Sequence, residues 1–261
     1  MNARIVSYGR GARWLGEGWQ MFRAAPLGWL ALIFAYWILM TLVSILPVVG
    51  LAAASVLVPP FSVGFMAAAR AAANGGPLTL SILFAGFRER VVPQIALGFI
   101  YAGLLALLIS ATALADEGAL ASWLVTGRRP GDEALASEGF STALMMAAAL
   151  YLPVTMMYWF APVLVAWNGF GVAKGLFYSF FACLMNWRAF VAYAAVTAVV
   201  TVVLPFVVLS ALLLFSSGAM RASITSLVFP LLIILLPTLF ASFYASYRDV
   251  FGGDPQPLVL H

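Results

Sequence analysis

The chain has 261 residues, of which 64% are Ala, Val, Ile, Leu, Met, Phe, Trp, Tyr or Cys and only 8% are charged. Soluble domains carry about 25% charged residues, so this composition excludes a soluble globular protein and predicts a membrane protein. The net charge is +4, and the basic residues are scattered between apolar stretches. This distribution favours lipid headgroups over nucleic acid as the partner.

The first 26 residues predict an amphipathic helix at the membrane surface. Leu15, Trp19 and Phe22 recur at i, i+4 and i+7 and share one face. The opposite face carries the polar residues Arg10, Arg13, Glu17 and Gln20. The alternative is a solvated helix that packs on another protein. We expect no cleaved signal peptide, because the charged segment and the following apolar stretch are both longer than in secretory signals.

Six apolar stretches are long enough to cross a bilayer. The first, residues 27–46, has 20 positions without a charge or a proline, and a helix of that length spans about 30 Å. The others lie at about 51–69, 91–112, 140–167, 189–215 and 223–247. The fold class predicted is an all-α, polytopic bundle of six transmembrane helices in one domain, residues 1–248. A disordered cytoplasmic tail is expected at 249–261.

The connections between the spans carry further signals. Pro59-Pro60 predicts a kink or a break near the middle of the second span. Short amphipathic interfacial helices are predicted around 80–87 and at 172–186. The long polar connection at 116–139 has a net charge of −3, and Leu120, Trp123 and Leu124 could form one helical turn within it.

The distribution of Lys and Arg predicts the orientation. Three basic residues, Arg128, Arg129 and Arg221, fall on one side of the membrane. The other side holds ten: Arg4, Arg10, Arg13, Arg23, Arg70, Arg88, Arg90, Lys174, Arg188 and Arg248. The positive-inside rule then places both termini in the cytoplasm.

The chain also suggests an internal repeat of three hairpins, at about 27–70, 91–167 and 189–247. Two constant offsets, 161 and 178 residues, align Arg13 with Lys174, Gly18 with Ser179, Pro59 with Pro237, and Arg70 with Arg248. Three hairpins of one plan would be parallel repeats. Chance matches between stretches of similar composition are the alternative.

Three motifs carry a family resemblance: GWQMFR at 18–23, PVVG at 47–50 and LFAGFR at 83–88. With them the chain resembles an uncharacterised family of proteobacterial six-helix inner-membrane proteins. It is similar, more distantly, to the membrane domains that precede some bacterial glycerophosphodiester phosphodiesterases. The resemblance covers nearly the whole chain and implies a bacterial inner-membrane location. It brings no activity with it, and the chain contains no hydrolase domain.

The titratable residues do not predict an enzyme, a metal or a cofactor. None of the nine carboxylates falls inside a predicted span, the single histidine is the last residue, and Cys183 is the single cysteine. Asp116-Glu117 and Asp132-Glu133 could be paired catalytic carboxylates, but solvated loop charges are the favoured interpretation.

The polar groups at membrane depth are mostly small hydroxyls that can bond to their own helix: Thr41, Ser44, Ser62, Gln94, Tyr101, Thr155, Tyr158, Thr197, Thr201 and Ser242. The prolines within the spans either are tolerated there or mark broken helices around a substrate. They are Pro59, Pro60, Pro153, Pro205, Pro230 and Pro237.

Two functions fit this pattern. The first is a non-enzymatic membrane protein that contacts lipids (anionic ones among them), a membrane protein partner or a second copy through a basic cytoplasmic rim. The residues assigned to the rim are Trp14, Trp19, Arg23, Arg70, Arg88, Arg188 and Arg248. The second is a small permease or channel for an uncharged or lipid-like substrate.

Overall fold

The computed structural model describes residues 3–46, 49–214 and 228–252. These residues form helices joined by short turns, with no strand among them. The helices are α1 (Tyr8–Ala24), α2 (Pro26–Ser44), α3 (Gly50–Ala73), α4 (Ala85–Arg88), α5 (Val91–Asp116), α6 (Ala119–Thr126), α7 (Asp132–Leu135), α8 (Glu138–Tyr158), α9 (Ala161–Asn168), α10 (Val172–Met185), α11 (Trp187–Ala198), α12 (Leu204–Leu214) and α13 (Val228–Phe251). A 3₁₀ segment covers Leu80–Phe84, and a π segment at Val199–Val203 joins α11 to α12.

Five helical stretches of the described chain are long and apolar enough to cross a membrane. They are Pro26–Ser44, Gly50–Ala73, Val91–Asp116, Glu138–Asn168 and Trp187–Leu212. They coincide with the first five predicted spans, which confirms an all-α protein with several spans. The sixth predicted span, 223–247, begins outside the described residues and continues in α13. A total of six spans therefore stays a prediction.

The last helix is longer than the sequence predicts. α13 ends at Phe251, so residues 249–251 are helical and the predicted boundary of the tail at 249 is corrected. The side chains of Tyr247, Val250 and Phe251 are buried, which explains why the helix continues. Residues 253–261, the turn at 216–218 with Arg221, and the first half of the PVVG turn lie outside the described residues.

The prolines of the second and fourth spans have different consequences. α3 runs without a break through Pro59 and Pro60. Pro60 cannot donate a hydrogen bond to the Val56 carbonyl, and Gly98 of α5 packs directly against that carbonyl. The fourth span is broken between α8 and α9. There the Ser179 hydroxyl donates to the Met156 carbonyl (2.7 Å) and accepts from the Phe160 amide (2.9 Å). Both backbone groups at the break therefore have a hydrogen-bond partner.

The described chain divides into two compact units. The first comprises the described residues of Met1–Trp37, Val63–Ala85 and Ala182–His261. In it α1 packs against both α11 and α13. Gly11 lies against the Ala189 carbonyl and Gly18 against the Thr238 carbonyl, so closely that a Cβ at either glycine would overlap the oxygen. The helices touch here through their backbones.

The buried face of α1 differs from the predicted apolar face. Trp14 is fully buried and Leu15 and Phe22 are nearly so, whereas Trp19 is 41% exposed. Gly11 and Gly18 complete the buried face, about one helical turn on either side of Trp14. Helix α1 is thus docked on the protein through a face that contains small residues, which hydrophobicity alone does not detect.

The second unit comprises residues 38–62 and 86–181. In it α5 packs along α8, and Leu97, Ala161 and Val165 form one buried cluster. The predicted single turn in the polar connection is the two-turn helix α6, whose Leu120 is buried against Phe140. Each predicted interfacial segment is helical, with the 80–87 segment formed by the 3₁₀ turn and α4.

The backbone contact at Gly11 predicts a stability difference between two glycine variants of the same helix. Gly11→Ala should destabilise the protein by about 2 kcal/mol, since the new methyl group forces α1 away from α11. Gly16→Ala is the matched control, because a methyl group there would find no packing partner within 4 Å and alanine favours the helix. Thermal denaturation in detergent checks this. Equal melting midpoints for the two variants would contradict the close packing.

Candidate functional site

The carboxylate of Asp249, near the end of α13, binds two side chains of α1. Arg10 donates to it through Nε (2.6 Å) and Nη2 (2.7 Å), and the Trp14 indole donates through Nε1 (2.8 Å). A two-pronged arginine–carboxylate pair is among the strongest hydrogen-bonding arrangements in proteins. Asp249 therefore fixes the first helix to the last one, 239 residues apart in sequence.

Glu17 extends this pair into a chain of alternating charges. Its carboxylate lies 2.9 Å from Arg10 Nη2 and also accepts a hydrogen bond from Arg248. Partial burial lowers the pKa of Arg10, but the hydrogen bonds and negative charges of Asp249 and Glu17 outweigh it. The pKa of Arg10 is therefore raised above its ordinary value, and the guanidinium stays charged at every physiological pH.

Aromatic packing orients the Trp14 indole toward Asp249. Its ring centroid lies 5.3 Å from that of Phe190 and 5.9 Å from that of Tyr193, both on α11. The Tyr193 hydroxyl in turn lies 2.7 Å from Ser242 Oγ on α13. Trp14 is fully buried, and these aromatic contacts hold its indole ring with the N–H toward Asp249.

The chain ahead of α1 is fastened to the same place. Asn186 accepts from the Val6 amide (2.8 Å) and donates to the Arg4 carbonyl (3.0 Å). The Arg4 amide donates to the Val250 carbonyl (2.7 Å). The N-terminal segment and the end of α13 are thus direct neighbours.

A cleft of about 670 Å³ opens beside this charged chain, within the first unit. Its lining residues are Arg10, Arg13, Gly16, Glu17, Gln20, Met21, Ala24, Ala72, Ala73 and Arg248. Arg13 and Gln20 are exposed, and neither side chain makes a hydrogen bond or an ion pair within the described chain. The cleft thus combines arginines held in place by carboxylates with one arginine that is available to a ligand.

The structure places two of the predicted rim residues at this site. Arg248 lines the cleft. Trp14 lies behind it, fully buried, which corrects its predicted position on an exposed rim. Its indole is taken up by Asp249 and the aromatic residues of α11, so it holds α1 in place.

The other five predicted residues lie outside the cleft lining. Trp19 and Arg23 are exposed on α1, and Arg70 is half-buried in the last turn of α3. Arg188 is exposed, with its guanidinium carbon 5.5 Å from the centroid of the Trp187 ring. Arg88 is exposed in the second unit. The contact of these five residues with lipid or a partner stays a prediction.

Sequence reasoning missed the role of Asp249, which it assigned to the tail. A local signal was present: Tyr244, Tyr247 and Phe251 continue a helical i, i+3, i+7 pattern past Arg248. Arg10 and Arg13 were correctly placed on the polar face of α1 but were not included in the predicted site. Nothing local in the sequence connects either of them to a residue more than 200 positions away.

Five of the ten polar groups predicted at membrane depth bond to their own helices. The hydroxyls of Ser44, Ser62, Thr155, Thr201 and Ser242 donate to carbonyls three or four residues earlier. Gln94 instead donates to the Pro162 carbonyl at the start of α9 (2.7 Å). Tyr158 donates to the Leu97 carbonyl (2.8 Å).

One carboxylate of each loop pair has a structural partner. Asp116 accepts from the amides of Gly118 and Leu120 and so caps α6, while Asp132 pairs with Arg129 on the exposed surface. Within the described ranges, no group of three or more His, Cys, Asp or Glu side chains is arranged to hold a metal ion.

Comparison with known proteins finds a similar bacterial protein. A protein of Burkholderia thailandensis, named as a probable inner membrane protein, is 38% identical over 253 residues, covering 95% of this chain and 93% of that protein. The chain belongs to this family. It is a multi-pass bacterial membrane protein whose relative bears an inner-membrane name and not that of an enzyme.

Two other comparisons found no match. No family model matches the chain, and no solved structure matches it. The similarity of this membrane protein to the membrane domains of glycerophosphodiester phosphodiesterases stays a prediction.

Removing the charge of Asp249 tests the attachment of α1. Asp249→Asn keeps the shape but leaves the partly buried Arg10 with Glu17 as its remaining counter-charge, and should destabilise the protein by about 2 kcal/mol. Asp132→Asn is the control, because its ion pair with Arg129 is exposed. Melting midpoints in detergent report both. A midpoint unchanged in Asp249→Asn would show that the network does not hold α1.

Proposed function

We propose that this protein is non-enzymatic and acts by holding anionic lipid headgroups or a partner protein at a basic rim. The observation that carries the proposal concerns Arg23 and Arg88, each three residues before the start of a spanning helix. Both side chains are exposed and make no hydrogen bond or ion pair within the described residues. An arginine near an anionic membrane surface contributes about 1 kcal/mol of attraction.

The contacts between the chain ends support a six-span topology with both ends on one side. Residues joined by a hydrogen bond, as Arg4 and Val250 are, lie on the same side of a membrane. An even number of crossings must then separate them. Five candidate spans together with α13 give that number, and the excess of Arg on this side favours the cytoplasm.

The packing of the interfacial helices supports the three-hairpin repeat. Gly18 of α1 lies against α13, Gly86 of α4 against Pro60 of α3, and Ser179 of α10 bonds across the break after α8. In each case a small residue of an interfacial helix meets the backbone of a proline-containing second span. The three contacts follow one plan, as parallel repeats would.

A small permease or channel for an uncharged or lipid-like substrate is the second candidate. The observation that favours it is the helix break before α9. Gln94 is fully buried there, and its Oε1 has no hydrogen-bond partner within the described residues. A buried amide oxygen of this kind could accept a hydrogen bond from a neutral substrate.

Lipid enrichment during mild detergent purification tests the rim. We expect wild-type protein to retain anionic over zwitterionic lipid, and Arg23→Gln/Arg88→Gln to reduce that ratio several-fold. Arg128→Gln/Arg129→Gln is the matched control, since it removes the same charge from the loop predicted to lie outside. Mass spectrometry identifies the retained lipids and any co-purifying protein.

Equal ratios for the two double variants, with no protein partner retained by wild type, would contradict the proposed contact role. Retention of a protein that is lost only in Arg23→Gln/Arg88→Gln would support the partner form of the proposal over the lipid form.

A further inference from the structure

We propose that the cleft beside α1 binds a monoanionic phosphodiester, such as the headgroup of an acidic glycerophospholipid. This inference rests on the proposed role of the basic rim and assigns it a specific site. The residues that bind are Arg13 and Gln20 of α1, flanked by Arg10 and Arg248.

The charges at the cleft match a ligand with one negative charge. Three arginines line it, and Arg10 and Arg248 are already paired with Glu17 and Asp249. One positive charge, that of Arg13, is left uncompensated. The second negative charge of a phosphomonoester would have no uncompensated cation to pair with and would be repelled by the Glu17 carboxylate, which also lines the cleft. The cleft therefore favours a phosphodiester.

The donors are arranged on one side of α1. Arg13 and Gln20 are seven residues apart, so they project from the same face of the helix two turns apart. The planar guanidinium of arginine presents a fork of N–H donors that fits two phosphate oxygens at once. Neither side chain must give up a bond within the described chain in order to bind.

Small residues keep the cleft open. Gly16 and Ala24 of α1 and Ala72 and Ala73 of α3 form part of its lining. The volume of about 670 Å³ is within the range of roughly 300–1,000 Å³ typical of small-molecule sites. A larger side chain at any of these four positions would occupy the space of the ligand.

The position of the cleft along the spans fits a headgroup. α1 leads directly into α2 at Pro26, α3 ends at Ala73, and α13 ends at Phe251. The cleft is thus lined by α1, which directly precedes a spanning helix, and by the last turns of α3 and α13. Phosphates of the lipid bilayer lie at the level where spanning helices end.

Native mass spectrometry of the full-length, delipidated protein tests the site. The probes are short-chain phosphatidylglycerol, short-chain phosphatidylcholine, and glycerophosphoglycerol, which is the phosphodiester without acyl chains. We expect one phosphatidylglycerol to bind about tenfold more tightly than phosphatidylcholine. Binding by glycerophosphoglycerol at equal strength would assign the site to free phosphodiesters, and much weaker binding would assign it to lipid. Either result supports the cleft.

Four variants locate the binding. Arg13→Gln should weaken phosphatidylglycerol binding about tenfold, the effect of one charged hydrogen bond, and Arg13→Lys should restore part of it. Ala73→Phe fills the cleft without altering any charge and should weaken binding as much. Arg128→Gln, which removes an exposed arginine of the polar connection outside the cleft lining, should bind within about twofold of wild type.

The outcomes separate this inference from the proposed function. If Arg13→Gln and Ala73→Phe bind as wild type does while Arg23→Gln/Arg88→Gln loses lipid, the cleft is wrong and the rim stands. Equal binding of phosphatidylglycerol and phosphatidylcholine also overturns the cleft. Melting midpoints near that of wild type show that each variant remains folded.

Discussion

The carboxylate of Asp249 is the contact on which the arrangement of the first unit depends. It accepts hydrogen bonds from Arg10 and Trp14, and so joins the helix that opens the chain to the helix that closes it. The bond forms because Gly11 and Gly18 allow the α1 backbone to approach α11 and α13 without an intervening side chain. Partial burial strengthens the attraction between the two charges, which are only 13–30% exposed.

The same contact shapes the cleft. Asp249 and Glu17 hold two arginines in fixed positions, and Arg248 is bound to α1 through Glu17. Loss of the Asp249 charge would leave Glu17 as the one carboxylate shared by Arg10 and Arg248. The residues that attach α1 to the protein therefore also set the charge of the proposed binding cleft. Arg13 lies beside the other residues of the cleft only while α1 stays packed against the protein.

Much of the fold was predictable because lipid imposes a local rule. A stretch such as 27–46, with 20 residues and no charge or proline, needs no knowledge of the rest of the chain to be assigned to a membrane span. The site was less predictable because its contacts are long-range. Asp249 lies in an ordinary sequence context, and only the fold brings it to Arg10. Prolines are an ambiguous signal, since α3 continues through Pro59 and Pro60 while the fourth span is broken after α8, where Ser179 bonds to the backbone.

The location of the two chain ends is the most direct test of this account. If Asp249 binds Arg10, and Val250 binds Arg4, the first and last helices meet on one side of the bilayer. Protease-cleavable tags at the N- and C-termini, each examined in intact spheroplasts and in inverted vesicles, measure this. The account predicts that both tags are protected in spheroplasts and cleaved in inverted vesicles. Tags that are cleaved from opposite sides would contradict it.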